Sequence, residues 1–172
     1  VHLYGNPCEM GEIKKIAKKY KLKIIEDCAQ AHLAEYKKKK VGTFGDISCF
    51  SFDPIKNLTS GEGGCIASED TVFMDRVRDA RLLGVMGDSK ARNTERRLYE
   101  FEVEAQGWRY HMSNLMAAIG REQLKKIDLF SKSRKNVAEY YVRSLAEFNS
   151  LKILNKNYHQ TVPHIFPVRI MH

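Results

Sequence analysis

"SFDPIKNLTSGEGG", residues 51–64, is the stretch on which the reading of the whole chain turns. It continues "ISCF", an apolar run with the character of a strand, and it closes in a glycine-rich bend. A single lysine, Lys56, stands between them. A lysine after a strand ordinarily faces solvent, because its ammonium is costly to bury. The small residues beyond it suit a tight turn in which backbone can pass close to another group. Near low-dielectric walls a strand-end lysine has its charged form disfavoured and becomes a nucleophilic amine.

Working outward, "LKIIED" reads as a buried strand with Asp27 at its C-terminal end. Before it, "HLYG" reads as a short strand and "NPCEMGEIKKIAKKYK" as a helix, with Asn6 as cap and Pro7 in the first turn. Ile13, Ile16 and Ala17 fall at helical spacing. Strand, helix and strand in that order indicate a parallel sheet. "CAQAHLAEY" is expected as loop or short helix, and the lysines at 37–40 as an exposed hairpin tip. "ISCFSF" and "GCIAS" are strands around the bend. "DTVFMDRVRDARLLG" is helical, with Val72, Met74, Val77, Ala80 and Leu83 roughly on one side. Residues 84–106 are polar and irregular. Ser113 and Asn114 are cap candidates for two helices or one long bent helix, and residues 151–171 offer two short strands around Pro163 and Pro167. The class is α/β: residues 1–110 as part of a large domain, 111–150 as connecting helices, 151–172 as the start of a small C-terminal domain. The chain begins without Met and stops inside a strand-like run, so we read it as an internal fragment of a longer protein.

Composition narrows the function. Hydrophobic content of 43% and charged content of 29% are those of a globular domain. No apolar run nears the roughly 20 residues that span a bilayer, and no signal peptide is visible, so a cytoplasmic protein is expected. The net charge of +8 is scattered, without a basic helix or nucleic-acid motif, and suits a phosphorylated small molecule better than a nucleic acid. The four cysteines, at 8, 28, 49 and 65, form no CxxC pair and no histidine stands at zinc-finger spacing, so no metal is expected. Cys28, Cys49 and Cys65 read as buried, reduced thiols.

Asp27 and Lys56 thus meet at strand ends of one sheet, the edge where open α/β sheets gather ligands. Pyridoxal phosphate asks a protein for a lysine, a carboxylate on the pyridine nitrogen and donors for its phosphate. Asp27 can supply the carboxylate, Ser51 a phosphate donor, and Gln30 a hydrogen bond to the phenolic oxygen. Each residue has an ordinary reading by itself: Asp27 as a turn residue, Lys56 as a solvent-facing side chain, Ser51 as a satisfied strand residue. Their order carries the case. His32 reads as a loop contact, and Tyr36, Phe44 and Phe52 as packing.

The stretch "IIEDCAQAHLAEYKKKKVGTFGDISCFSFDPIKNLTSGEGG" closely resembles the core of the DegT/DnrJ/EryC1/StrS aminotransferases, and "HLYGNPCEM" and "GWRYHMSNLMAAIG" also fit. The resemblance covers residues 1 to about 170. It implies the aspartate-aminotransferase fold (pyridoxal-phosphate fold type I), of which this chain would be part of the large-domain sheet and the start of the small domain. It implies that Lys56 holds the cofactor and moves protons, that Asp27 pairs with the pyridine nitrogen, and that Gln30 and Ser51 contact ring and phosphate. The "GWRYHM" segment would reach across a homodimer to the neighbour's cofactor phosphate through Arg109, where the family often has Asn; it often has Arg in place of His111. Leu33 replaces a common Gly. Glutamate would be the amino donor and a nucleotide-linked keto sugar the acceptor. A pyridoxamine-phosphate-dependent dehydratase is the alternative within the family, but those enzymes carry histidine at the position of Lys56. A non-catalytic relative would have no need of Asp27, Gln30, Ser51 and Lys56 together. The family's N-terminal third is missing, so the fragment alone is expected to be inactive.

Overall fold

The computed structural model describes residues 1–87, 102–154 and 158–171. They fall into two compact units, Val1–Ala67 with Asn114–His172, and Ser68–Ser113. In the first unit, α1 (Met10–Tyr20) precedes β1 (Ile25–Asp27), the hairpin β2 (Glu35–Tyr36) and β3 (Lys39–Lys40), then β4 (Ile47–Ser51) and β5 (Gly64–Ala67). β1 runs parallel to β4 and β4 antiparallel to β5, a mixed three-stranded sheet. The parallel register sets Asp27 opposite Cys49, so β1 ends two residues short of Ser51, the last residue of β4.

"HLYG" is a 3-10 turn, Leu3–Gly5, rather than the expected strand. His2 N–H reaches the Asp27 carbonyl at 3.0 Å, but Tyr4 has φ 57° and Gly5 φ 83°, which turn the backbone away from extended geometry. Asn6 and Pro7 do not cap α1, which starts at Met10; Asn6 Oδ1 accepts from Thr161 Oγ1 instead. α1 buries Met10 and Ala17, while Ile13 and Ile16 stay exposed. "LKIIED" yields only a three-residue strand, and Ile25 is 64% exposed because alternation sends it to a face the described residues leave open. Of the cysteines only Cys28 is fully buried; Cys49 is half-buried and Cys65 exposed, since all of β5 lies open.

The core is made of small side chains. Cys28, Ala31, Ala34 and Val41 are buried together against Phe50. Tyr36 meets Phe44 edge to face at 5.6 Å and donates its hydroxyl to Glu9, as packing residues do. At the hairpin tip Lys37 and Lys38 both have positive φ, 50° and 65°, as a two-residue turn between twisted strands requires.

α3 (Asn114–Leu124) and α4 (Ile127–Ser144) are two helices, separated at residues 125–126. Strands β6 (Leu151–Ile153) and β7 (Val168–Ile170) pair antiparallel. The segment between them crosses back over the unit. Glu35 N–H donates to Gln160 O, Asn57 Nδ2 to Val162 O, Lys135 Nζ to His159 O and Arg134 Nη1 to His164 O. No described helix is long and apolar enough to cross a membrane.

The second unit holds α2 (Thr71–Ala80), capped where Asp70 Oδ1 accepts from Phe73 N–H at 2.9 Å. The helix stops before Leu83, whose φ of 64° ends the expected apolar row. Trp108 N–H donates to Ala80 O and Tyr110 N–H to Arg81 O, so the 108–110 segment runs along the helix exit. Most of the expected irregular segment 84–106 lies outside the described residues.

Candidate functional site

The bend after β4 is closed by its own backbone. Phe52 N–H donates to Gly63 O at 2.8 Å and Phe52 O accepts from Ser60 N–H at 3.0 Å. Thr59 Oγ1 bonds the same carbonyl, and the fully buried Ser60 donates to Glu62 O at 2.6 Å. Gly64 is required here: a Cβ would come 2.5 Å from Phe50 O. Within this loop Asp53 makes the local turn, accepting from Ile55 N–H through Oδ1 and from Lys56 N–H through its carbonyl. Asn57 and Leu58 are buried and anchor the far side. Lys56 is half-buried on this hydrogen-bonded loop.

Asp27 is half-buried at the end of β1. Its Oδ1 accepts from Ala29 N–H at 3.0 Å, which leaves Oδ2 available. Gln30 Oε1 accepts from Tyr4 N–H at 2.8 Å. That bond fixes the amide and turns its two N–H donors elsewhere. Ser51 Oγ accepts a long bond from Asp53 N–H, 3.3 Å, and keeps its own O–H to donate. Arg109 lies in the second unit, exposed, its backbone bridged antiparallel to Leu82. The groups left over by Asp27, Gln30 and Ser51 are one accepting carboxylate oxygen, one donating amide NH2 and one hydroxyl. Those groups fit a protonated pyridine nitrogen, a phenolate and a phosphate, so the residues suit pyridoxal phosphate.

His32, expected as a loop contact, lies beside this site. His32 is 4% exposed, tilted against Phe50 and Phe52 at 5.5 and 6.2 Å, and neither ring nitrogen has a hydrogen-bond partner. Burial, then the neighbouring His164 and Lys56, hold its pKa down at about 4, opposed by the Ser51 main chain, which lies near the ring without the geometry of a hydrogen bond. His164 is lowered too, first by burial and then by Lys56 and Arg134, with Asp53 opposing. The expected loop contact of His32 is thus a packing contact beside the lysine.

Glu26 has no counterpart among the sequence-based expectations, although an acid inside an apolar run is the signal that marks it. It is 3% exposed. Its Oε1 accepts from Phe44 and Gly45 N–H, both at 2.6 Å, and its Oε2 from Gly42 N–H at 2.8 Å and His2 Nε2 at 3.0 Å. Burial pushes the carboxyl up, but His2 and the three main-chain N–H groups outweigh it and hold it at about 2. His2, Glu26 and Cys28 have potential metal-ligand atoms within 4.8 Å of one another. Yet His2 Nδ1 already accepts from Cys8 N–H, and burial, with Glu26 and Asp27 nearby, pushes the Cys28 thiol up to about 12. His2 and Glu26 form a hydrogen-bonded brace.

Comparison with known proteins fits this geometry. The sequence matches the DegT/DnrJ/EryC1/StrS aminotransferase family over residues 1–172. It is 40% identical over 156 residues to GDP-perosamine synthase of Escherichia coli O157:H7, covering 91% of this chain and 39% of that protein. It is 38% identical over 174 residues to the uncharacterized protein MJ1066 of Methanocaldococcus jannaschii, covering 99% and 44%. The backbone superposes on PseC of Helicobacter pylori, an aminotransferase of pseudoaminic acid biosynthesis, with a TM-score of 0.87 at 26% identity over 98% of this chain and 44% of that one. S. venezuelae DesV gives a TM-score of 0.81 at 31% identity, over 98% and 43%. The fold is the type I pyridoxal-phosphate fold. The chain spans less than half the length of each of these relatives.

Proposed function

We propose, for a chain that belongs to the DegT/DnrJ/EryC1/StrS aminotransferase family of pyridoxal-phosphate-dependent sugar aminotransferases, that it serves to move an amino group from glutamate to a nucleotide-linked keto sugar. The observation that carries this reading is the rigid loop that holds Lys56 just beyond β4, next to a strand ending in Asp27. When bound, pyridoxal phosphate supplies the electron sink that lets nitrogen pass between two carbonyl compounds. Lys56 would hold it through Nζ. Asp27 Oδ2 would accept the pyridinium N–H and keep that nitrogen charged. Gln30 would donate to the phenolic oxygen and Ser51 Oγ–H to the phosphate. Arg109 would serve the phosphate of a second copy in a homodimer. In the donor half-reaction Lys56 Nζ takes the proton from the donor Cα; in the acceptor half it delivers one to the sugar carbon that receives nitrogen.

Lys56 speaks against the dehydratase alternative, whose enzymes carry histidine there. A cytoplasmic enzyme making amino sugars for surface polysaccharide or glycosylated metabolites follows from the same reading. Borohydride reduction of the holoenzyme followed by peptide mapping tests it: the label should fall on Lys56 and be lost in Lys56→Ala. Mass analysis should then find an aminated sugar when glutamate and a nucleotide keto sugar are supplied. A label at another residue, or glutamate left unconsumed, refutes the proposal.

A further inference from the structure

Lysines that are scattered along the sequence gather on one face of the first unit. The β2–β3 hairpin packs against the start of α1: Gly11 N–H donates to the Tyr36 hydroxyl at 3.3 Å, and a Cβ at Gly11 would lie 3.8 Å from Lys37 Nζ. Lys14, Lys15 and Lys18 follow Gly11 by three, four and seven residues, the spacing that keeps side chains on one side of a helix. They and Lys37–Lys40 at the hairpin tip are all exposed. Three carboxylates bond into this face: Glu9 to Tyr36, Glu12 to Lys15 and Glu35 to Lys40. Seven lysines against these three leave a surplus of four positive charges. Lys14, Lys18, Lys37 and Lys38 pair with no carboxylate among the described residues.

The tip holds its charges against the preference of its own backbone. Lys37 and Lys38 are the two central residues of the turn, with φ 50° and 65°. Asn-Gly adopts that geometry without the strain a long side chain meets there. Lys37 Nζ lies over the Tyr36 ring at 5.2 Å, and Lys39 Nζ lies over the Phe44 ring at 5.1 Å while donating to Thr43 O. These ammonium groups are held around the tip, and the aromatic faces beneath them are covered.

We propose that this face, α1 with the β2–β3 tip, adsorbs to the surface of a bilayer rich in anionic phospholipid. The proposal goes beyond the aminotransferase reading and does not depend on it. Lysine clusters of this size are held at such surfaces by summed Coulomb attraction. The chemistry of the patch selects that occupant. Residues 1–67 contain no arginine, so the face lacks the planar fork that pairs with individual carboxylates and that protein interfaces favour over lysine. Among the described residues it offers no uncovered aromatic ring on which a nucleic-acid base could stack. Compact, hydrated ammonium groups suit a diffuse layer of headgroup charge. The exposed Ile13, Ile16 and Tyr20 of α1 stand on the opposite side of the helix. The attraction is therefore electrostatic, without insertion of side chains into the hydrocarbon.

The test is cosedimentation of the intact protein with phosphatidylcholine vesicles, with and without about 30% phosphatidylglycerol. Binding is expected only with phosphatidylglycerol, and should fall about ten-fold or more as salt rises from about 0.1 to about 0.5 M. Lys37→Asn with Lys38→Gly removes two charges and supplies the residues the turn prefers. At about five-fold per lysine near the surface, this double variant should bind about twenty-five-fold more weakly. Its Tm should not fall, which separates lost charge from lost folding. Lys14→Gln with Lys18→Gln should show a similar loss through α1. Lys37→Arg with Lys38→Arg should bind nearly as wild type, and so should Lys152→Gln with Arg169→Gln on the paired strands β6 and β7. Wild type that ignores anionic vesicles, or binding reduced as much by the β6–β7 variant as by the tip variant, would overturn the proposal. So would retention by polyglutamate or by duplex DNA in place of vesicles, which would make the face a site for an acidic protein or a nucleic acid.

Discussion

Replacing Glu26 by Gln tests the brace behind the site. A carboxyl held at about 2 instead of 4.5 contributes about 3 kcal/mol of stability at neutral pH. The amide oxygen can keep at most half of the four bonds that Phe44, Gly45, Gly42 and His2 now make to the two carboxylate oxygens. The amide NH2 would face N–H donors, which leaves buried groups unpaired and adds about 1–2 kcal/mol to the loss. We expect about 4–5 kcal/mol of destabilisation, or on the order of 10 °C in Tm for a chain of this size. The pH dependence gives a second, independent reading. The folded carboxyl titrates below the unfolded one, so its contribution is complete above about pH 4.5 and is lost as pH falls toward about 2. Urea unfolding at about pH 7, 5, 4 and 3 should show the wild type losing stability along this limb and Glu26→Gln losing less of it. A variant within about 0.5 kcal/mol of wild type at neutral pH, or one with the same acid limb, would refute the reasoning.

His32 is held at about 4 against an ordinary 6.5, so the unfolded imidazole takes a proton first and stability falls as pH drops from about 6.5 toward 4; His32→Gln should flatten that loss between about pH 6.5 and 5, and an unchanged slope would show that His32 does not cause it. Leu33 has φ 62°, a left-handed conformation that costs a branched side chain about 1–2 kcal/mol, so Leu33→Gly should be neutral to about 1 kcal/mol stabilising after the entropy of glycine is subtracted; a clear drop in urea midpoint would count against the strain. Gly5 has φ 83°, and a Cβ there would collide with Val162 O and lie 3.2 Å from Gln30 O, so Gly5→Ala should cost about 2–3 kcal/mol, read as a lowered Tm, and a wild-type Tm would reject the close approach.

Much of the fold around the candidate site is legible because its cues are local. "ISCFSF", "GCIAS" and the lysine-rich tip were read as strands and hairpin from alternation and punctuation, and the structure has them. The "HLYG" turn was not, because His2 Nε2 bonds Glu26, which is 24 residues away, and no local pattern encodes that pairing. Ile25 and Cys65 look like core residues in sequence, yet they stay exposed on a sheet face and strand that the described residues leave open. Leu33 was noted only as a departure from glycine; its positive φ supplies the physical reason that glycine is at home there. Arg134 and His164 are ordinary in sequence, and only the crossing of the C-terminal segment over α4 joins them.

Adjacent acids show how structure separates support from chemistry. Strand alternation sends Glu26 and Asp27 to opposite faces. Glu26 finds four donors within its own chain, so both its oxygens are engaged and it has nothing left to offer a ligand. Asp27, at the strand's end, finds one. The histidines divide in the same way: His2 uses both ring nitrogens on Glu26 and Cys8, whereas His32 uses neither and His164 leaves Nδ1 open. A buried polar group left unsatisfied costs free energy that folding alone would not retain. Asn57 Oδ1, His32 and His164 are such groups, and electrostatic coupling ties both histidines to Lys56 while Asn57 is its neighbour in the chain. Among the described residues, the satisfied groups brace the strand ends, and the unsatisfied ones gather around Lys56.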